Sequence, residues 1–154
     1  MGISLTPEYY YKTMPLQDIK NLPVQEISDK KSVLFLWATT PLIKEALDVM
    51  QTWDFKYVTM ITWHKTNNKG PGYWFRGYTE HLLFGIKGSI KSFRSRIRNI
   101  QEARVLKHSQ KPELFRKLIE QIAPTLNPRI ELFARQKVDG WDVWGNEVST
   151  RGIV

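Results

Sequence analysis

A chain of 154 residues with 23 lysines and arginines against 15 acids carries a formal charge of +8, large for its size, and holds enough apolar residues to close one core. With no cysteine it can form neither disulfides nor thiolate metal sites, and it has no thiol nucleophile. No apolar stretch is long enough to span a bilayer, and the start of the chain lacks a basic region leading into an apolar one, so a soluble cytoplasmic protein with one domain over residues 1–154 and no membrane contact is expected.

Residues 1–12 are polar and aromatic, with Tyr9, Tyr10 and Tyr11 consecutive, and show neither helical nor alternating spacing; a loop is expected. Residues 14–21 suit a short helix with Pro15 in its first turn, closed by Pro23. The run Ser32-Val-Leu-Phe-Leu-Trp-Ala38 is continuously apolar between turn signals, the pattern of a strand covered on both faces, hence central in its sheet. Thr39 and Thr40 can cap a helix beginning at Pro41, on which Leu42, Ala46, Val49, Met50 and Trp53 recur at helical spacing. Residues 55–63 read as another strand, 65–72 as a mobile loop, and 81–87 as a third strand. Between loop and strand lies Tyr73-Trp-Phe-Arg-Gly-Tyr-Thr-Glu80, whose aromatic faces beside cations suit stacking on a base, although core packing fits Trp74 and Phe75 as well.

From Lys87 to Lys111 eight cations, among them Arg94, Arg96, Arg98 and Arg104, stand against a single acid, Glu102. Such a run attracts a polyanion by neutralising phosphates and releasing counterions; a solvated basic loop is the plain alternative. Pro112 then opens a helix with Leu114, Leu118, Ile119 and Ile122 on one face. If Pro112 is the first helical residue, Lys111 occupies the cap, against both cap preference and the helix dipole. A lysine beside free backbone N–H groups makes an anion site, whereas with Ser109 as the cap Lys111 would simply be exposed. Ile130, Leu132 and Ala134 alternate with Glu131, Phe133 and Arg135 in a final strand behind Pro128. A polar turn and Gly140-Trp-Asp-Val-Trp-Gly-Asn-Glu147 follow, placing groups able to grip a small ligand beyond a buried strand end, or else forming a Trp-anchored tail. His64, His81 and His108 match no zinc spacing. Alternating strands and helices imply an α/β layered domain.

Seven stretches in order, Tyr11-Lys-Thr-Met14, Val33-Leu-Phe-Leu-Trp37, Thr62-Trp-His-Lys-Thr66, Gly72-Tyr-Trp74 with Glu80-His81, His108-Ser-Gln-Lys-Pro112, Glu131-Leu-Phe-Ala-Arg135 and Gly140-Trp-Asp-Val-Trp-Gly-Asn-Glu147, resemble the mRNA (adenine-N6) methyltransferase, or MT-A, family. That family includes prokaryotic and phage DNA adenine methyltransferases. The resemblance implies a Rossmann-like S-adenosylmethionine-binding fold with circularly permuted motifs and transfer of methyl to the exocyclic amine of adenine in nucleic acid, DNA rather than RNA. By position it implies that Lys111 lies near the methionine carboxylate and the target base, that Arg135, Asn146 and Glu147 hold the ribose and adenosine end of the cofactor, and that Phe133 lies along the cofactor cleft. Tyr11, Trp74 and Glu80 would line the base pocket, with Arg94, Arg96 and Arg98 on the nucleic acid. Duplex-specific enzymes of this kind extrude the base, which gives stacking aromatics a role.

The family's catalytic signature, Asp-Pro-Pro-Trp at a strand end shortly before the Tyr-x-Thr-Met motif, is missing: all eight prolines are isolated. The signature activates a weakly nucleophilic amine by accepting its hydrogen bonds with the Asp carboxylate and a Pro carbonyl. In the family's sheet the strand bearing it lies between those corresponding to Val33–Ala38 and Ile130–Ala134, so an incomplete sheet with unpaired central edges is expected. Three explanations fit: a fragment, a degenerate member that folds on a catalytic methyltransferase-like partner, or a strand donated by a second chain. The first is preferred, with little or no methyl transfer from this chain alone. The rival reading is a noncatalytic nucleic-acid-binding module or partner subunit with a vestigial cofactor site.

Overall fold

The apolar run expected to be central is central: Leu34, Phe35, Leu36, Trp37 and Ala38 are all buried, with alternate side chains feeding two separate clusters on the two faces of one sheet. The computed structural model describes residues 2–5, 14–67, 71–72, 74–93, 95–107 and 110–145. In chain order these form β1 (Gly2–Leu5), α1 (Leu16–Lys20), α2 (Val24–Ile27), β2 (Ser32–Thr39), a 3-10 turn (Thr40–Leu42) running into α3 (Ile43–Thr52), β3 (Lys56–Lys65), β4 (Thr79–Lys87), β5 (Ile100–Ala103), α4 (Glu113–Ile122), β6 (Ile130–Leu132) and β7 (Asp142–Trp144). The seven strands make one mixed sheet in the order β5-β3-β4-β2-β1-β6-β7. Only β4 runs against its neighbours, so the other strands end along one edge, where β4 begins.

β1 corrects two expectations. The stretch read as a loop contains a strand, and the expected hole in the sheet is filled: Gly2 to Leu5 lie in parallel register with Phe35 to Ala38, and Gly2 also pairs with Glu131 of β6. The cause is tertiary rather than local. Two facing strand edges with unmet N–H and C=O groups accept a short extended segment whatever its own propensity.

On one face α3 buries Ala46, Val49 and Met50, with Trp53 just past its end, against Leu34, Leu36, Ala38 and Leu83. On the other, Phe115, Leu118 and Ile119 of α4 meet Phe35, Trp37, Trp63 and Leu82. Each such fully buried side chain stabilises the fold by about 1.5–3 kcal/mol. Phe115 heads α4's buried face; the apolar spacing had pointed to Leu114 and Ile122, which are only half-buried. Neither Thr39 nor Thr40 caps the helix through its side chain, because the 3-10 turn intervenes. The strand β6 stops at Leu132, three residues short of the alternating pattern, because Phe133 turns to φ +60°. Within the basic segment, Ile100–Ala103 joins the sheet beside β3 instead of remaining loop.

Candidate functional site

At the edge where the parallel strands end, antiparallel pairing sets Glu80 of β4 opposite both Thr39 of β2 and Trp63 of β3. Period-2 alternation then sends Trp37, Trp63 and Glu80 to the face covered by α4. Glu80 is 4% exposed, the one buried charged side chain among the described residues. Its two carboxylate oxygens are divided between two lysines: Lys111 Nζ donates to Oε1 at 2.8 Å, and Lys65 Nζ lies 3.2 Å from Oε2. Burial pushes the carboxyl pKa up, but the two ammonium groups together outweigh it and hold it below the ordinary range. Each lysine also rests over an indole, Lys65 at 5.1 Å from the Trp63 ring centre and Lys111 at 5.3 Å from that of Trp37. These two rings meet edge to face, and Phe115 of α4 packs edge-on against Trp37. A Lys–Glu–Lys row with one net positive charge is thus seated on an aromatic floor.

The same strand ends are tied together on the opposite face. His81, half-buried, places Nδ1 3.0 Å from Thr62 Oγ1 and Nε2 3.2 Å from Thr40 Oγ1, linking β3, β4 and the 3-10 turn. Burial holds its pKa down despite the pull of Glu80, which keeps the ring neutral at pH 7. Thr39 Oγ1, in register with Glu80, is buried and has no hydrogen-bond partner among the described residues.

Lys111 sits one residue before the true cap of α4, which is Pro112 with an extended backbone and no side-chain cap. Neither sequence reading of this helix start holds: Lys111 is not the cap, and it is not exposed either, because its ammonium is drawn to Glu80. Phe133 packs on Trp144, ring centres 5.3 Å apart and nearly perpendicular, against the α3-side core. Its turned backbone lets the Ala134 N–H donate to the Trp144 carbonyl at 3.0 Å. Arg135 follows, half-buried, just beyond the end of β6 at the same sheet edge as Lys111. Burial pushes the Glu131 carboxyl up, against the pull of Arg116 on α4.

Gly145 follows β7 because nothing larger fits. A Cβ there would stand 2.7 Å from the Ala134 carbonyl oxygen and 2.8 Å from its nitrogen. Gly145→Ala should therefore push β7 off Ala134 and cost about 1–3 kcal/mol, read from urea unfolding; an unchanged midpoint would show that this approach is looser than described.

The other expected site residues are not all gathered here. Trp74 is 99% exposed and Phe75 86%, which excludes the core-packing alternative. Arg96 and Arg98 are exposed but precede β5, beside an apolar cavity of about 320 Å³ bounded by Val58, Ile61, Phe84, Phe93 and Ile97, away from Glu80. Besides Lys111, Arg104 and Lys107 of the basic run follow β5 toward the Glu80 edge, and both are exposed. Tyr11, Arg94, Asn146 and Glu147 lie outside the described residues. Lys65 was not singled out beforehand; the signal was its register, two residues past the Trp63 that faces Glu80. Among the described residues no His, Asp and Glu cluster could hold a metal, and no helix is long and apolar enough to cross a membrane.

Comparison with known proteins shows the family. Residues 3–147 match the MT-A70 family model. The chain is 32% identical over 148 residues, 94% of its length, to the Type II methyltransferase M.MunI of a Mycoplasma species, and 28% identical over 151 residues to the human N(6)-adenosine-methyltransferase catalytic subunit METTL3. It is also 35% identical over 86 residues, 48% of the chain, to the zebrafish non-catalytic subunit METTL14. The matches span 63%, 26% and 18% of those three proteins respectively. With nearly the whole chain matched, and with the motif residues Trp37, Trp63, Glu80 and Lys111 converging at one sheet edge, this chain belongs to the MT-A70 family of adenine-N6 methyltransferases.

Proposed function

We propose that this domain binds S-adenosylmethionine and the target adenine of a nucleic acid, DNA in preference to RNA, as part of an adenine-N6 methyltransferase. The observation that carries the reading is the row Lys65–Glu80–Lys111, a half-buried net positive charge at the carboxyl edge of a mixed α/β sheet, where ligands of such folds bind. The donor set suits the cofactor. Lys111, held at the edge by Glu80, can offer a charge-assisted bond to the methionine carboxylate. Arg135, with Asn146 and Glu147 after β7 in the sequence, would hold the ribose and adenine, and Phe133, whose backbone turns at φ +60°, would lie along the cofactor cleft. S-adenosylmethionine supplies an electrophilic sulfonium methyl when bound. On the base side, the motifs offer Glu80 and Tyr11 as candidates, and Trp74 offers an exposed aromatic face. The preference for DNA is supported by the likeness to a Type II methyltransferase over nearly the whole chain.

Adenine's amine is a poor nucleophile because its lone pair is delocalised into the ring. Where the family's signature strand would lie, this chain has Gly2–Leu5 followed by Thr6-Pro7-Glu8, with no Asp-Pro-Pro. We therefore expect residues 1–154 by themselves to bind cofactor with little or no methyl transfer. The likeness to a non-catalytic subunit favours a second reading, a nucleic-acid-binding partner subunit with a vestigial cofactor site.

Calorimetric titration separates the two. S-adenosylmethionine should bind one to one, and Lys111→Ala should weaken it about tenfold or more by removing a charged hydrogen bond. 5′-Methylthioadenosine, which lacks the carboxylate, should bind parent and variant alike. Absence of heat with S-adenosylmethionine would discard the first reading in favour of the second.

A further inference from the structure

We propose that Trp74 and Phe75 form a wedge that enters the base stack of duplex DNA and fills the space left when the target adenine is extruded toward Glu80. This rests on the reading of the domain as adenine-modifying, and it adds a step which that reading leaves without a residue. A base inside a duplex cannot reach a buried carboxylate without leaving the stack, and the loss of stacking is offset when an apolar or aromatic side chain takes the vacated place.

Trp74 and Phe75 are consecutive and are the most exposed large apolar side chains among the described residues. Folding does not use them. Two further exposed apolar side chains, Tyr78 at 42% and Leu106 at 73%, lie at the same edge of the sheet. The loop that carries the pair is closely built: a Cβ on Gly72 would run into the Phe75 carbonyl and the Gly77 amide, and Trp74 takes φ +65°, an unfavourable conformation for a bulky residue. The Lys65 N–H donates to the Tyr78 carbonyl at 2.8 Å, fastening the loop where β3 ends and β4 begins, directly before Glu80. The wedge is therefore mounted on the strand that carries the buried carboxylate.

Charge selects the occupant. Arg76 adjoins the pair, and Arg104 and Lys107 stand exposed after β5, which lies two strands from β4 in the sheet. Besides the buried Glu80, the exposed acid Glu102 of this edge lies against His64 at 3.3 Å. Exposed aromatics bracketed by cations suit a stack of bases between phosphates better than an apolar protein groove.

The test uses a short labelled duplex, fully paired or with one abasic site, which offers the vacated place in advance. The parent chain should prefer the abasic duplex about tenfold, the scale of one lost base–aromatic stack. Phe75→Ala and the double change Trp74→Ala with Phe75→Ala should bring the two affinities within about twofold, while Phe75→Trp keeps the preference. Because neither side chain is in the core, the unfolding midpoint should not move, which separates this result from misfolding. The wedge is overturned if the parent shows no preference or if the double variant retains it. It is equally overturned if sedimentation shows a self-association that the double variant abolishes, since the aromatics would then be an interface between copies. A parent that takes up S-adenosylmethionine without preferring the abasic duplex sinks the wedge alone; one that binds neither cofactor nor DNA sinks the underlying function as well.

Discussion

Glu80→Gln should destabilise the domain by about 3 kcal/mol at neutral pH, because removing one member of a buried ion cluster leaves uncompensated charge behind. Here two ammonium groups would remain, each under a fifth exposed, sharing a neutral amide. For a chain of this size that corresponds to a fall in melting temperature of roughly 6–12 °C. Lys111→Met should cost less, about 1–2 kcal/mol, since Glu80 keeps Lys65 as a counterion. The pH dependence carries its own sign. Glu80 titrates below the ordinary carboxylate value in the folded chain, so its stabilisation is complete above that value and is lost as pH falls below about 4. His81, also held down, adds an earlier loss below about pH 6.5, where the unfolded chain takes up the proton more readily. In Glu80→Gln the low-pH component should vanish. Equal melting curves for parent and variant at pH 7 would mean that the row behaves as a solvated surface pair.

The other large effect belongs to the floor beneath that row. Trp63 is 1% exposed, donates its indole N–H to the Ala103 carbonyl at 2.9 Å, and touches the rings of both Trp37 and Phe115. Trp63→Ala should cost about 3–5 kcal/mol through lost packing and a residual cavity. It would also undo the join between β3 and β5 and leave Lys65 without its ring. Trp63→Phe keeps an aromatic face and should cost only about 1–2 kcal/mol, chiefly the hydrogen bond and some volume. Chemical denaturation of the pair of variants reads the difference. If alanine and phenylalanine are equally damaging, the indole N–H rather than ring packing holds this edge.

What could be read from the residues divides along a physical line. Val33–Ala38, α3 and α4 were legible because burial on a periodic backbone leaves a repeating apolar signature, two-faced in the strand and three-to-four spaced in the helices. Lys111 drew notice on a premise that the structure removes, since the cap of α4 is Pro112 and the lysine is placed instead by its bond to Glu80. The strand Gly2–Leu5 was not legible: its pairing comes from the edges of β2 and β6, far away in the chain. The end of β6 was hidden too, because Ala134 and Arg135 continue the alternation that Phe133's backbone turn interrupts. Lys65 and Glu80 are fifteen residues apart, and only the register of β3 on β4 brings them together. The basic run was visible as charge, but its division by β5, with Arg96 and Arg98 before the strand and Arg104 and Lys107 after it, needed the sheet.

Nuclear magnetic resonance of the lysine ammonium groups during titration with S-adenosylmethionine tests the cofactor site most directly. The Lys111 signal should shift and saturate with the binding heat, 5′-methylthioadenosine should leave it nearly in place, and the exposed Lys30 should not respond to either. A Lys111 signal that stays fixed while the cofactor binds, or one that moves no more than Lys30, would contradict the placement of the methionine carboxylate at the Lys65–Glu80–Lys111 row.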